Sequence, residues 1–87
     1  MHFEFDPAKS EANRKKHGID FEQVQALWQD PEGLEVPSKH RDEPRKLWIA
    51  ARQAKLWTAI FTRREDKIRI ISVRRARENE RNAYYEH

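Results

Sequence analysis

Two runs in the second half of the chain carry the clearest periodicity. From Leu56 to Thr62, Trp57, Ala59 and Phe61 stand opposite Leu56, Thr58, Ile60 and Thr62, the two-residue period of a strand. From Ile68 to Val73, Ile68 and Ile70 oppose Ile71 and Val73, so the segment is apolar on both sides and predicts a central strand covered on both faces for most of its length. The charged break Arg64-Glu65-Asp66 makes the pair a hairpin. Upstream, Leu47 to Ala51 predicts another strand, with Gln53-Ala54 a poor turn sequence after it, and Leu34 to Val36 a short one ended by Pro37. His2 to Phe5 alternates and fits an edge strand. Asp6 can cap a first helix, Ala8 to Lys16, that takes Pro7 as its opening residue and stops at Gly18. Ala8 and Ala12 are its only apolar pair, which predicts light packing on the surface. Asp20 and Gln23 have capping-box spacing, flanked by Ile19 and Val24 as a staple, and Phe21, Val24, Leu27 and Trp28 share one helical face. That second helix is expected against the sheet. Asp30 to Gly33 reads as a turn, Ser38 to Pro44 as the longest loop, and Ala76 to Tyr85 as a closing helix rich in Arg, Glu and Asn.

Composition changes the picture in one respect. Apolar residues make up 37% of the 87 and charged residues 38%, a balance near that of disordered chains, but three Trp, four Phe and two periodic strands supply the burial a single domain needs. The absence of cysteine excludes disulfides and thiolate metal sites. No apolar run approaches a membrane span and Met1 to Asp6 lacks the regions of a signal peptide, so a cytoplasmic chain is expected. Between Arg63 and Arg77 seven basic residues face two acids, a surplus of five; the whole chain carries +3, so the remainder sums to −2. The positive charge is local, and a hairpin with arginines at its strand ends is a rigid way to offer cations to phosphate groups.

The segments FEFDPAKSEANRKKHGIDFEQV (Phe3 to Val24) and IRIISVRRARENERNAYYE (Ile68 to Glu86) resemble the BrnT toxins of bacterial type II toxin-antitoxin systems, in the family's order and separation. The resemblance implies a compact α+β fold like that of the RelE ribonuclease toxins: a small antiparallel sheet with two N-terminal helices and one C-terminal helix, in agreement with the element order above. It also implies RNA cleavage that arrests translation, and a small antitoxin with a ribbon-helix-helix DNA-binding domain, joined in a 2:2 complex that binds operator DNA through the antitoxin. Phe5 stands where family members often have Trp, and the Gly that family members often have near Ala51 is missing, which leaves the third strand without its usual turn former. The family's Glu and Arg before the third strand correspond to Glu43 and Arg45 across Pro44, with Lys46 an equal claimant.

Cutting RNA without a metal or other cofactor requires a base for the 2′ hydroxyl proton, cations around the phosphorane, and an acid for the departing 5′ oxygen. Arg74 and Arg75 suit the second task, being permanently charged and forked; alternatively one of them pairs with Glu78 or Glu80 in the following helix. Ser72 shares a face with Arg74 and either binds phosphate or caps the strand. His40 and His17 are the proton-transfer candidates. His40 lies in a loop with Glu43, Arg45 and Lys46, a set that can supply base and cations, or else is solvated. His17 can equally be bonded to carbonyls at a helix end. Arg69, Arg77 and Tyr84 complete the candidate RNA-binding set, Tyr84 either stacking on a base or docking its helix on the sheet. The carboxylates are scattered, which disfavours a metal nuclease. A non-catalytic nucleic-acid-binding module would use the same arginines.

Overall fold

The hairpin lies at the middle of a five-stranded sheet. The computed structural model describes residues 2–38 and 44–87. In chain order the elements are β1 (His2–Glu4), α1 (Pro7–His17), α2 (Phe21–Val24) running into a 3-10 turn (Gln25–Gln29), β2 (Leu34–Pro37), β3 (Lys46–Arg52), β4 (Lys55–Arg64), β5 (Lys67–Arg75) and α3 (Glu78–Glu86). The strands are ordered β1-β5-β4-β3-β2. Strands β2 to β5 are antiparallel neighbours, as expected, but β1 joins β5 in parallel, with Phe3 beside Ile68. A parallel pair needs a long crossover. Here everything from α1 to β4 intervenes.

The helix boundaries follow local chemistry. The Asp6 carboxylate accepts from the Ala8 N–H at 2.9 Å, and Gly18 adopts φ 81° while donating to the Arg14 carbonyl. Asp20 and Gln23 close the capping box in both directions. The second helix is shorter than its apolar face suggested, one α turn before the 3-10 segment. Helix α3 starts at Glu78, two residues later than expected, because the Ala76 N–H still donates to Leu56 of β4 at 3.0 Å.

Helix α1 packs through polar residues, which corrects the expectation of a loosely held surface helix. Its buried side chains are Ser10 and Asn13. The Ser10 hydroxyl accepts from the Phe21 N–H at 2.9 Å. Asn13 donates to the Ile19 carbonyl at 2.9 Å and accepts from the Val73 N–H at 3.1 Å. Strand β1 covers β5 only as far as Arg69, and Asn13 supplies an acceptor to β5 beyond that point.

Each face of the sheet has its own apolar cluster. On the first, Phe61, Trp57, Ile68, Ile70 and Val73 pack under Ile19, Phe21, Val24 and Leu27. On the second, Ile49, Leu56 and Ala76 pack with Leu34, Val36, Ala51 and Tyr84. Strict alternation would split Ile70 from Val73. A bulge resolves this: Phe61 pairs with Ile70 and Ile60 with Ser72, leaving Ile71 as an extra residue that resets the parity of β5. Ile68–Val73 lies in β5, an interior strand flanked by β1 and β4 as its two-sided apolar pattern predicts, while β4 holds the middle of the five positions.

Candidate functional site

Helix α3 covers only part of the second face. Between it, β2 and the exposed surface of β3 to β5 runs a groove of about 850 Å³. Its floor is apolar, formed by Val36, Leu47, Ile49, Ile60 and Ile71, and its walls carry Ser38, Arg45, Ser72, Arg74, Arg77 and Glu80. Strand parity places Ser72 and Arg74 together, as their spacing predicted. Arg77, the residue preceding α3, adds a third guanidinium to those of Arg45 and Arg74.

Glu80 organises this wall. The residue is 6% exposed, and its carboxylate accepts four hydrogen bonds: from Arg74 Nη1 at 2.7 Å and Nη2 at 2.9 Å, from the Thr58 hydroxyl at 2.9 Å and from the Arg77 N–H at 2.8 Å. Burial would raise the carboxyl pKa, but the hydrogen bonds from Arg74, the Arg77 N–H and Thr58 outweigh it and hold the group at about 2. Such a carboxylate is charged at neutral pH and a poor base. Sequence reasoning named Glu80 only as a possible partner of the arginines. Its burial was hidden because an acidic residue near a helix start ordinarily faces water.

The remaining candidates are distributed elsewhere. Arg75 follows Arg74 and so points to the opposite face, where its guanidinium carbon lies 5.5 Å from the centre of the Trp57 ring and Nε donates to the Leu56 carbonyl at 3.3 Å. The structure therefore separates the two arginines that sequence reasoning grouped. Lys46 is also on that opposite face, 3.6 Å from Glu35, which Arg63 grips with two bonds of 2.8 Å. Arg63 pulls the Glu35 carboxyl below its usual range, burial opposing. Arg69 shares the groove side of the sheet but stands beyond the groove, 3.8 Å from Glu4. His17 closes α1, none of whose residues lines the groove. Tyr84 faces Asp30 rather than a stacking site, its hydroxyl donating at 2.7 Å. His40 and Glu43 lie outside the described residues; Ser38 and Arg45, on either side of that segment, both line the groove and are joined by a backbone bond of 3.2 Å.

Among the described residues no group of three or more His, Asp or Glu side chains gathers where a metal ion could be held. None of the described helices is long and apolar enough to cross a membrane. A family model described as the ribonuclease toxin, BrnT, of type II toxin-antitoxin systems matches residues 5–80. The chain belongs to the BrnT family. As a BrnT protein it is a ribonuclease toxin, and its system supplies a protein antitoxin as partner. No curated protein matches the chain.

Proposed function

We propose that the groove binds RNA and that the chain is a metal-independent endoribonuclease. The observation that carries this reading is the convergence of Arg45, Arg74, Arg77 and Ser72 on one concavity beside α3. Guanidinium groups on a strand end and a helix start are held in direction by the backbone, and a concave wall of low dielectric strengthens their pull on phosphate.

In the proposed reaction the ribose 2′ oxygen attacks the adjacent phosphorus, the bond from phosphorus to the 5′ oxygen breaks, and a cyclic phosphate and a free 5′ hydroxyl result. The base takes the 2′ proton and the acid returns one to the leaving oxygen. Arg74 and Arg77 neutralise the phosphorane, and Ser72 and Arg45 hold the neighbouring backbone. We assign proton transfer to His40 and Glu43, since the described groove contains no histidine and Glu80 is already saturated with donors. His17 and Arg75 have no part in this scheme. The antitoxin, proposed to carry a ribbon-helix-helix domain and to form a 2:2 complex that binds operator DNA, suppresses cleavage by covering the groove.

The test is cleavage of a synthetic oligoribonucleotide by the purified chain with and without EDTA, beside Arg74→Ala. Cleavage unaffected by EDTA, ending in a cyclic phosphate and lost in Arg74→Ala, is expected. Dependence on added Mg²⁺ overturns the metal-free mechanism. Salt-sensitive binding with the RNA left intact would mark a non-catalytic nucleic-acid-binding module.

A further inference from the structure

Arg74 is ion-paired within its own chain, which at first sight removes it from substrate. The geometry of the pair says otherwise. A guanidinium has five N–H donors in one plane. Glu80 takes one from each terminal nitrogen, an end-on grip at 2.7 and 2.9 Å, and the other Nη1 proton is directed to the Arg75 carbonyl at 3.3 Å. Two donors remain, Nε–H and the second N–H of Nη2, and among the described residues neither has a protein partner. In a planar guanidinium these two lie on one edge, with the spacing that matches two oxygens of a phosphate. The side chain lines the groove and is 20% exposed.

We propose that Glu80 is a positioning residue for the cleavage reaction: it clamps the end of the Arg74 guanidinium so that the side edge, Nε–H with Nη2–H, is presented ready-aligned to the scissile phosphate. The inference rests on the groove being the RNA site. Glu80 is itself fixed from two other elements. Thr58, directly across the sheet from Arg74, donates from β4, and the Arg77 N–H donates from the start of α3. The carboxylate is thus anchored to a neighbouring strand and to the following helix before it touches Arg74. Orientation fixed in advance is what a charge-stabilising group needs, because no free energy is then spent on ordering it as the phosphorane forms.

The experiment is single-turnover cleavage of an oligoribonucleotide by Glu80→Gln, Thr58→Val, Arg74→Lys and the double variant Arg74→Lys/Glu80→Gln, with thermal melts and circular dichroism alongside. In Glu80→Gln the amide presents N–H donors to one arm of the guanidinium, so the maximal rate should fall on the order of 10²-fold with a much smaller change in the half-saturating RNA concentration. The double variant should lose no more than Arg74→Lys alone. Additive losses would mean that Glu80 acts only as a helix cap, and would overturn the proposal. Should Glu80→Gln fail to fold, Thr58→Val decides. It removes one anchor of Glu80 while sparing both Arg74 and the α3 cap, and an undiminished rate in that variant sinks the positioning role. If Arg74→Ala still cleaves, the groove reading itself fails. Lost activity in Arg74→Ala, with full rates in Glu80→Gln and Thr58→Val, removes only the role given to Glu80.

Discussion

The hydroxyl of Tyr84 donates to Asp30 Oδ2 at 2.7 Å, joining the last helix to the turn that precedes β2. The same carboxylate oxygen accepts from the Ala51 N–H of β3 at 2.8 Å, and its partner oxygen from the Glu32 N–H at 2.9 Å. Helix α3 is therefore pinned at both ends, by Glu80 at its start and by Tyr84 near its finish, with the groove along one side.

Removing the Tyr84 hydroxyl should loosen the far end without unfolding the chain. Tyr84→Phe leaves Asp30 its two backbone donors, so urea denaturation should show a loss of about 1.5 kcal/mol. Burial, then the bond to Asp30, raises the Tyr84 pKa from 10.0 to about 12. A folded pKa above the unfolded one favours the neutral form, so this contribution is complete below pH 10.0 and is lost as pH rises toward about 12. Denaturation midpoints followed through that window should fall more steeply in the parent than in Tyr84→Phe.

Glu80 sets the opposite limb. Its carboxyl is lowered from 4.5 to about 2, so its contribution is present above pH 4.5 and disappears as pH falls to about 2. By linkage the shift corresponds to about 3 kcal/mol at neutral pH. Acid titration by circular dichroism should show a stability loss in that window that Glu80→Gln lacks; equal slopes would mean the carboxyl is not held in its charged form.

The turn between β3 and β4 is strained by its residues. Gln53 and Ala54 both have positive φ, 53° and 64°, in a two-residue connection from Arg52 to Lys55. Tight hairpins of this kind favour Asn-Gly. Gln53→Asn with Ala54→Gly should raise stability by about 1 kcal/mol in urea denaturation, with cleavage unchanged.

Arg75→Ala separates the two adjacent arginines. Its guanidinium contacts Trp57 and a backbone carbonyl on the face away from the groove. Loss of that contact should cost about 1 kcal/mol or less while cleavage stays within a few-fold of the parent. Activity abolished in a folded Arg75→Ala chain would show that the reaction uses the other face.

Gly33 is required by contact with its neighbour. A Cβ at this position would stand 2.0 Å from the Trp48 ring, which stacks on Trp28 at 5.6 Å and donates from Nε1 to Leu27 at 2.8 Å. Gly33→Ala should destabilise the chain by about 2 kcal/mol, read as a lowered thermal midpoint.

Legibility in the sequence tracked how local the cause was. Asp6, Gly18 and the Asp20-Gln23 box act within a few residues of their own position, and each does in the fold what its spacing predicted. The close packing of the first helix was hidden because the partners of Ser10 and Asn13, Phe21 and Val73, lie far along the chain and the polarity of both residues resembles that of a solvated face. Within the groove, the pairing of Ser72 with Arg74 could be read from alternation, whereas the burial of Glu80 depended on Thr58 of another strand.

By itself the sequence determined the helix caps, the strands of the hairpin, the concentration of positive charge between Arg63 and Arg77, and through its two motifs the family. Those are set by backbone preferences and by residue order, which need no distant partner. Only the tertiary structure decided that Arg74 faces the groove while Arg75 covers Trp57, that the bulge at Ile71 keeps Ile70 and Val73 in one core, and that Glu80 serves the sheet as well as its helix. The physical reason is that a side chain's neighbours are chosen by strand register and by packing between elements, and both are settled only when segments distant in the chain come together.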